Sequence, residues 1–98
     1  MEDKKNGLEL ELTPETAEGV YSNLAVISHS SSEFIVDFAR IMPGVKKAPI
    51  KSRIILTPEH AKRLLFALQD NMAKYEAQYG KINLAGRQQG GTATPFAN

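Results

Sequence analysis

Cysteine is absent from this chain, so neither a disulfide framework nor a thiolate metal site is open to it. Tryptophan is absent as well and aromatics make up only 7%, which leaves any core mainly aliphatic. Histidine occurs twice, as His29 and His60, and no His, Cys or acid follows His60 at the next helical turn, so no metal site is expected. Apolar runs such as Leu24-Ala25-Val26-Ile27 are short, far below the roughly 18 residues of a membrane span. The charged opening Met1-Glu2-Asp3-Lys4-Lys5 has no apolar segment behind it, unlike a secretory signal. A phosphate-binding loop is missing too, because Gly86 to Gly91 follows no strand and opens no helix. A soluble cytoplasmic protein without a cofactor is the expectation.

What is present suits one small domain: 98 residues, 42% of them apolar, enough for a modest core. The net charge of +1 hides a polarity. Residues 1–39 carry eight acids against Lys4 and Lys5 (net −6), and residues 40–98 carry ten bases against Glu59, Asp70 and Glu76 (net +7). A basic half can be a nucleic-acid footprint. An acidic strand folding against a basic one explains the same numbers, and for so small an excess it is the better reading.

The hydrophobic period changes once, and cleanly. Ile50 to Leu56 reads as a strand; Thr57-Pro58-Glu59-His60 then opens a helix running from about Pro58 to Tyr79, with Gly80 as its stop. Thr caps, Pro fits the first helical position, and Glu suits the positive end of the helix dipole. The same Leu-Thr-Pro-Glu signal at 12–15 meets Gly19 too soon for more than a helical turn. Upstream of it, Leu8-Glu9-Leu10-Glu11-Leu12 alternates strictly, as a half-buried strand does. Val20 to Ser28 and Phe34 to Met42 are β-rich, joined by the turn-formers His29 to Ser32. A four-residue loop there pairs Ile27 with Phe34 and Ala25 with Val36, and the next connection sets Phe38 across from Ile54 and Val36 from Leu56.

These registers give the sheet two faces. The first carries Tyr21, Ala25, Ile27, Phe34, Val36, Phe38, Ile50, Ile54 and Leu56. The second carries Val20, Leu24, Val26, Ile35, Ala39, Ile41 and Ile55, interrupted by Asp37, Lys51 and Arg53. The helical stripe Ala61, Leu64, Leu65, Leu68, Met72 and Tyr75 suits the first, more apolar face. The expected class is therefore α+β: an antiparallel meander of three or four strands with one long C-terminal helix packed on one face. It occupies residues 7–80, with a flexible N-terminus at 1–6 and a disordered Gly- and Gln-rich tail at 81–98, where Phe96 is a stray aromatic or a docking anchor. One helix covers one face only. The other exposes more apolar surface than a lone domain usually shows, so a homo-oligomer, a two-fold dimer in the simplest case, is expected.

Catalytic constellations fail on geometry. His29 sits among serines, but Asp37 lies about four residue steps along the sheet, roughly 13 Å away, too far to orient it. Asp37 and Arg53 are nearly diagonal on adjacent strands and form either an ordinary ion pair or a specificity device at an interface. Lys46, Lys47, Lys51, Lys62 and Arg63 could track phosphates, but no stacking platform accompanies them.

Three segments, Val20-Tyr21-Ser22-Asn23 to Ser28-His29-Ser30, Glu33 to Phe38, and Ser52-Arg53-Ile54 to Thr57-Pro58-Glu59-His60-Ala61-Lys62-Arg63-Leu64-Leu65, resemble a prokaryotic family catalogued as domain of unknown function 3467. The resemblance covers about residues 17–77; it implies a small prokaryotic cytosolic protein and no activity. At the level of fold alone, the arrangement is similar to subunits of the secretion chaperone SecB.

The expected function is thus a non-enzymatic, homo-oligomeric binding or scaffold module. Its candidate interface is Leu24, Val26, Ile35, Asp37, Ile41, Lys51, Arg53 and Ile55. A chaperone-like peptide binder is the first alternative, and weak nucleic-acid binding through the basic 40–63 region the second.

Overall fold

The computed structural model describes residues 7–85. The N-terminal stretch 1–6 and the greater part of the expected tail, 86–98 with Phe96, lie outside the described residues. Within them the order is α1 (Pro14–Ala17), β1 (Leu24–His29), β2 (Phe34–Ala39), β3 (Ile50–Leu56) and α2 (Pro58–Tyr79). The strands form one antiparallel sheet in the order β1-β2-β3, so the chain is α+β as expected.

The helix boundaries follow from local chemistry. Thr57 is extended, with φ −70°, and its Oγ1 accepts from the His60 N–H at 3.1 Å, satisfying one of the unpaired amides of the first turn. Pro58 brings no N–H to satisfy. Glu59 sits at the positive end and pairs with Arg63 one turn on. At the far end Gly80 has φ 102°, a conformation that L side chains rarely adopt, and its N–H reaches the Glu76 carbonyl at 3.0 Å. Thr13 caps α1 the same way, accepting from the Thr16 N–H at 3.2 Å, and that helix stops after one turn.

Both registers are displaced by two residues from those expected. The hairpin has a two-residue turn: the Ser30 N–H donates to the Glu33 carbonyl at 2.9 Å, while Ser30 Oγ accepts from the amides of Ser32 and Glu33. This pairs His29 with Phe34, Ile27 with Val36 and Ala25 with Phe38. On the other side Phe34 meets Leu56, Val36 meets Ile54, and Asp37 meets Arg53 directly across rather than diagonally. An even displacement keeps every side chain on its face, so the two-face assignment stands. Ile50 is the exception: a register shift between Phe38 and Ala39 pairs it with Ala39, on the second face.

Two expectations are corrected. Leu8–Leu12 joins no strand ladder, since alternation marks a segment able to pair but supplies no edge to pair with. Nor does α2 pack on the sheet. The extensive tertiary contacts run between neighbouring strands, no α2 residue is buried, and among the described residues only Ala39, at 1% exposure, is buried. The stripe of α2 does look toward the first face, but an open cleft separates them.

Candidate interaction surface

The second face is built in rows across the sheet. Leu24 aligns with Ala39 and Ile50; Val26 with Asp37 and Arg53; Ser28 with Ile35 and Ile55. Of the expected interface, Leu24, Val26, Ile35 and Asp37 are half-buried, whereas Lys51, Arg53 and Ile55 on the outer strand are exposed. Two members stand outside the paired rows: Ile41 lies beyond the end of β2, exposed, and Lys51 falls at the register shift between Ile50 and Ser52.

The middle row holds the sharpest electrostatic feature. Arg53 donates to Asp37 through Nε to Oδ1 at 2.7 Å and through Nη2 to Oδ2 at 2.9 Å, the two-pronged geometry in which a guanidinium matches a carboxylate. The Asp37 side chain is only 14% exposed and that of Arg53 61%, so the arginine lies over the row with its outer surface in solvent. The hydrogen bonds from Arg53 hold the Asp37 carboxyl below its usual range, aided by the positive charge and opposed by partial burial. The same bonds raise the Arg53 guanidinium. Both groups are ionised at neutral pH, and the result is a fixed charge pair set among Leu24, Val26, Ile35 and Ile55.

The first face is no better covered. Ile27, Phe34 and Val36 from the sheet and Leu64, Leu65 and Leu68 from α2 line a cleft of about 350 Å³. Leu56 and Pro58 close its hinge end, where Thr57 turns the chain. A wider hollow of about 740 Å³ lies beside the start of β1, between Val20 and Asn23 on one side and Phe38, Ser52 and Ile54 on the other. Farther along α2, Leu68, Met72 and Tyr75 share a shallow hollow with Ile82, whose N–H donates to Glu76 Oε2 at 3.0 Å.

The recognisable motif residues are largely consumed by architecture. Ser22 Oγ lies within donor reach of the carbonyls of Ala39 (2.9 Å) and Leu24 (3.1 Å). The Asn23 side-chain amide engages Ile41 twice, accepting from its N–H at 2.7 Å and donating to its carbonyl at 3.1 Å. These bonds continue the β1–β2 ladder with side chains after the backbone ladder ends, a role that the β-rich pattern alone did not reveal. His29 stacks on its cross-strand neighbour Phe34, with ring centroids 5.3 Å apart, and Asp37 is committed to Arg53, so no Ser-His-Asp relay is assembled. Within the basic 40–63 region, Arg53 and Arg63 are engaged by Asp37 and Glu59.

Among the described residues no group of three or more His, Asp or Glu side chains is placed to hold a metal ion, and no helix is long and apolar enough to cross a membrane. No curated protein and no solved structure matches this chain, so the likeness to SecB subunits draws no support from either comparison. A family profile does match, and well beyond the 17–77 segment that carries the motif likeness. Residues 1–84 fit the family described as protein of unknown function (DUF3467), and the chain belongs to that family.

Proposed function

We propose that this chain is a subunit of a homo-oligomer, a two-fold dimer in the simplest case, that binds another macromolecule through its sheet surface and performs no catalysis. The observation that carries this reading is the missing core: among the described residues only Ala39 is buried, while Ile27, Ile54, Leu64, Leu65 and Leu68 remain exposed. Burial of apolar surface is the main favourable term in folding, and fully burying one such side chain stabilises by about 1.5–3 kcal/mol. A sheet open on both faces, with a helix standing off one of them, has little of that term within one chain. A second subunit laid into the cleft between β2 and α2 supplies it.

The Asp37–Arg53 pair then acts in register and partner choice. A fixed charge pair inside an apolar surface disfavours misaligned or unmatched partners. Peptide capture on the second face, which a subunit seated in the cleft leaves open, is the favoured form of macromolecular binding, because Leu24, Val26, Ile35 and Ile55 there are apolar. Nucleic-acid binding is weaker, since Arg53 and Arg63 are already paired. A cytoplasmic location belongs to this proposal.

Sedimentation equilibrium at micromolar concentration tests it. A mass of two or more chains is expected, and a clean monomer overturns it. Capture of an unfolded apolar peptide that persists as salt is raised supports the peptide form; binding to DNA that collapses with salt moves the reading to nucleic acid.

A further inference from the structure

We infer that α2 of one copy lies antiparallel along α2 of a second copy, the two stripes meeting across a two-fold axis at the level of residue 70. The inference rests on the oligomeric reading above and specifies which surfaces meet.

The stripe has the spacing of a helix–helix seam. Ala61, Leu65, Leu68, Met72, Tyr75 and Tyr79 follow one another at intervals of 4, 3, 4, 3 and 4, a seven-residue repeat held along the whole of α2. The five after Ala61 are 40–67% exposed. A strict repeat of this period keeps a narrow seam turned toward another helix, whereas packing on a sheet asks only for a broad apolar side. Among the described residues the other helix, α1, has four residues, so a matching helix comes from a second copy.

Charge decides the direction. α2 carries Glu59, Lys62, Arg63, Asp70, Lys74 and Glu76. Glu59 pairs with Arg63, and Asp70 with Lys74, both along the side of the helix away from the seam. Lys62 and Glu76 instead flank the seam on the same side, each directly after one of its residues and 14 positions apart. That separation is about 21 Å along the axis, too far for the two to meet within one helix. In an antiparallel pair centred at residue 70, Lys62 of each copy falls beside Glu76 of the other, twice by symmetry. A parallel pair sets Leu64 beside Gln69 and Asn71 beside Glu76, with no opposite charges. A slip of one heptad sets Gln69 beside Lys62 or Glu76, and both ion pairs are lost.

The same register matches side-chain sizes. Leu68 meets Met72, Leu65 meets Tyr75, and the small Ala61 meets Tyr79. Tyr75 and Tyr79 already stand together, ring centroids 4.9 Å apart, so Leu65 and Ala61 of the second copy meet a continuous aromatic surface. Leu65 and Leu68 also line the cleft with Ile27, Phe34 and Val36, so the helix of the second copy enters the cleft that one chain leaves open.

The chain contains no cysteine, which makes the test direct. Full-length chains bearing Leu65→Cys or Tyr75→Cys, with different tags, are mixed and mildly oxidised. The mixed disulfide between the two variants is expected to predominate. In the antiparallel register the two Leu65 positions are offset by about 15 Å along the axis, beyond the roughly 7 Å that a disulfide spans between Cα atoms. A Leu65→Cys chain that links mainly to itself, or no cross-link at all, overturns the assignment. Charge reversal at exposed positions adds a second measurement. Lys62→Glu should weaken self-association roughly tenfold, because both reciprocal pairs become repulsive, and Glu76→Lys in the same chain should restore it. Lys74→Glu makes the same change of charge on the outer side and should leave association within about twofold. Equal losses from the two reversals, or no rescue, overturn the pairing. A dimer lacking both the cross-link and the rescue loses the helix pairing but keeps the oligomeric reading; a monomer loses both.

Discussion

Dilution should lower the melting temperature of this protein, and by an amount that can be worked out. A lone chain whose described residues bury only Ala39 lacks the apolar burial that stabilises small domains, so the cooperative unit is taken as two chains. Two copies of residues 7–85 make a unit of about 160 residues. For a dimer that dissociates as it unfolds, each tenfold dilution removes about 1.4 kcal/mol from the folded state. In units of this size 1 kcal/mol moves Tm by about 2–4 °C, so a hundredfold dilution should lower it by about 5–11 °C. Far-UV circular dichroism melts from about 100 µM down to about 1 µM, with recovery checked on cooling, read this directly. Melts that superimpose across the range would show that contacts within one chain suffice, and would refute the reasoning from the missing core.

Two further predictions concern the sheet itself. Asn23→Ala removes both side-chain bonds to Ile41; because Asn23 is exposed, water re-solvates the freed backbone groups, and the cost in urea unfolding should be about 1 kcal/mol, with no change in oligomer mass. Asp37→Asn should change the acid limb of stability. The folded-state pKa of Asp37 lies below its ordinary value of about 3.9, so its contribution is present above that value and is lost as pH falls through the lowered one. The stability gap between wild type and Asp37→Asn at neutral pH should therefore close below about pH 4, and parallel pH profiles would contradict the assignment.

What could be read from the sequence was what short-range chemistry decides. The Leu56-Thr57-Pro58 junction and the Gly80 stop agree with the structure because a capping hydroxyl, a proline and a glycine act within one turn. The registers were displaced because they depend on loop length, and Ser30 shortens the hairpin by binding two amides that a four-residue loop would leave elsewhere. The faces survived because both displacements are even; Ile50 did not, since a bulge changes parity. Packing of α2 and pairing of Leu8–Leu12 were not legible for another reason. Periodicity says that a surface is made to be covered, without naming the chain that covers it. On the candidate surface, the Asp37–Arg53 pair was foreshadowed by charge on adjacent strands, but its two-pronged form followed only from the observed register.

The turn at Thr57 also has a mechanical side. A helix of 22 residues extends about 33 Å from that one residue, so it works as a lever whose fulcrum is a single pair of backbone angles. A rotation of about 10° there carries Tyr79 through about 6 Å, roughly the rise of one helical turn. The hydroxyl cap and the proline that begin the helix therefore do more than start it. They set the aim of a long arm, and any partner gripping the far end of α2 reads the angle chosen at Thr57.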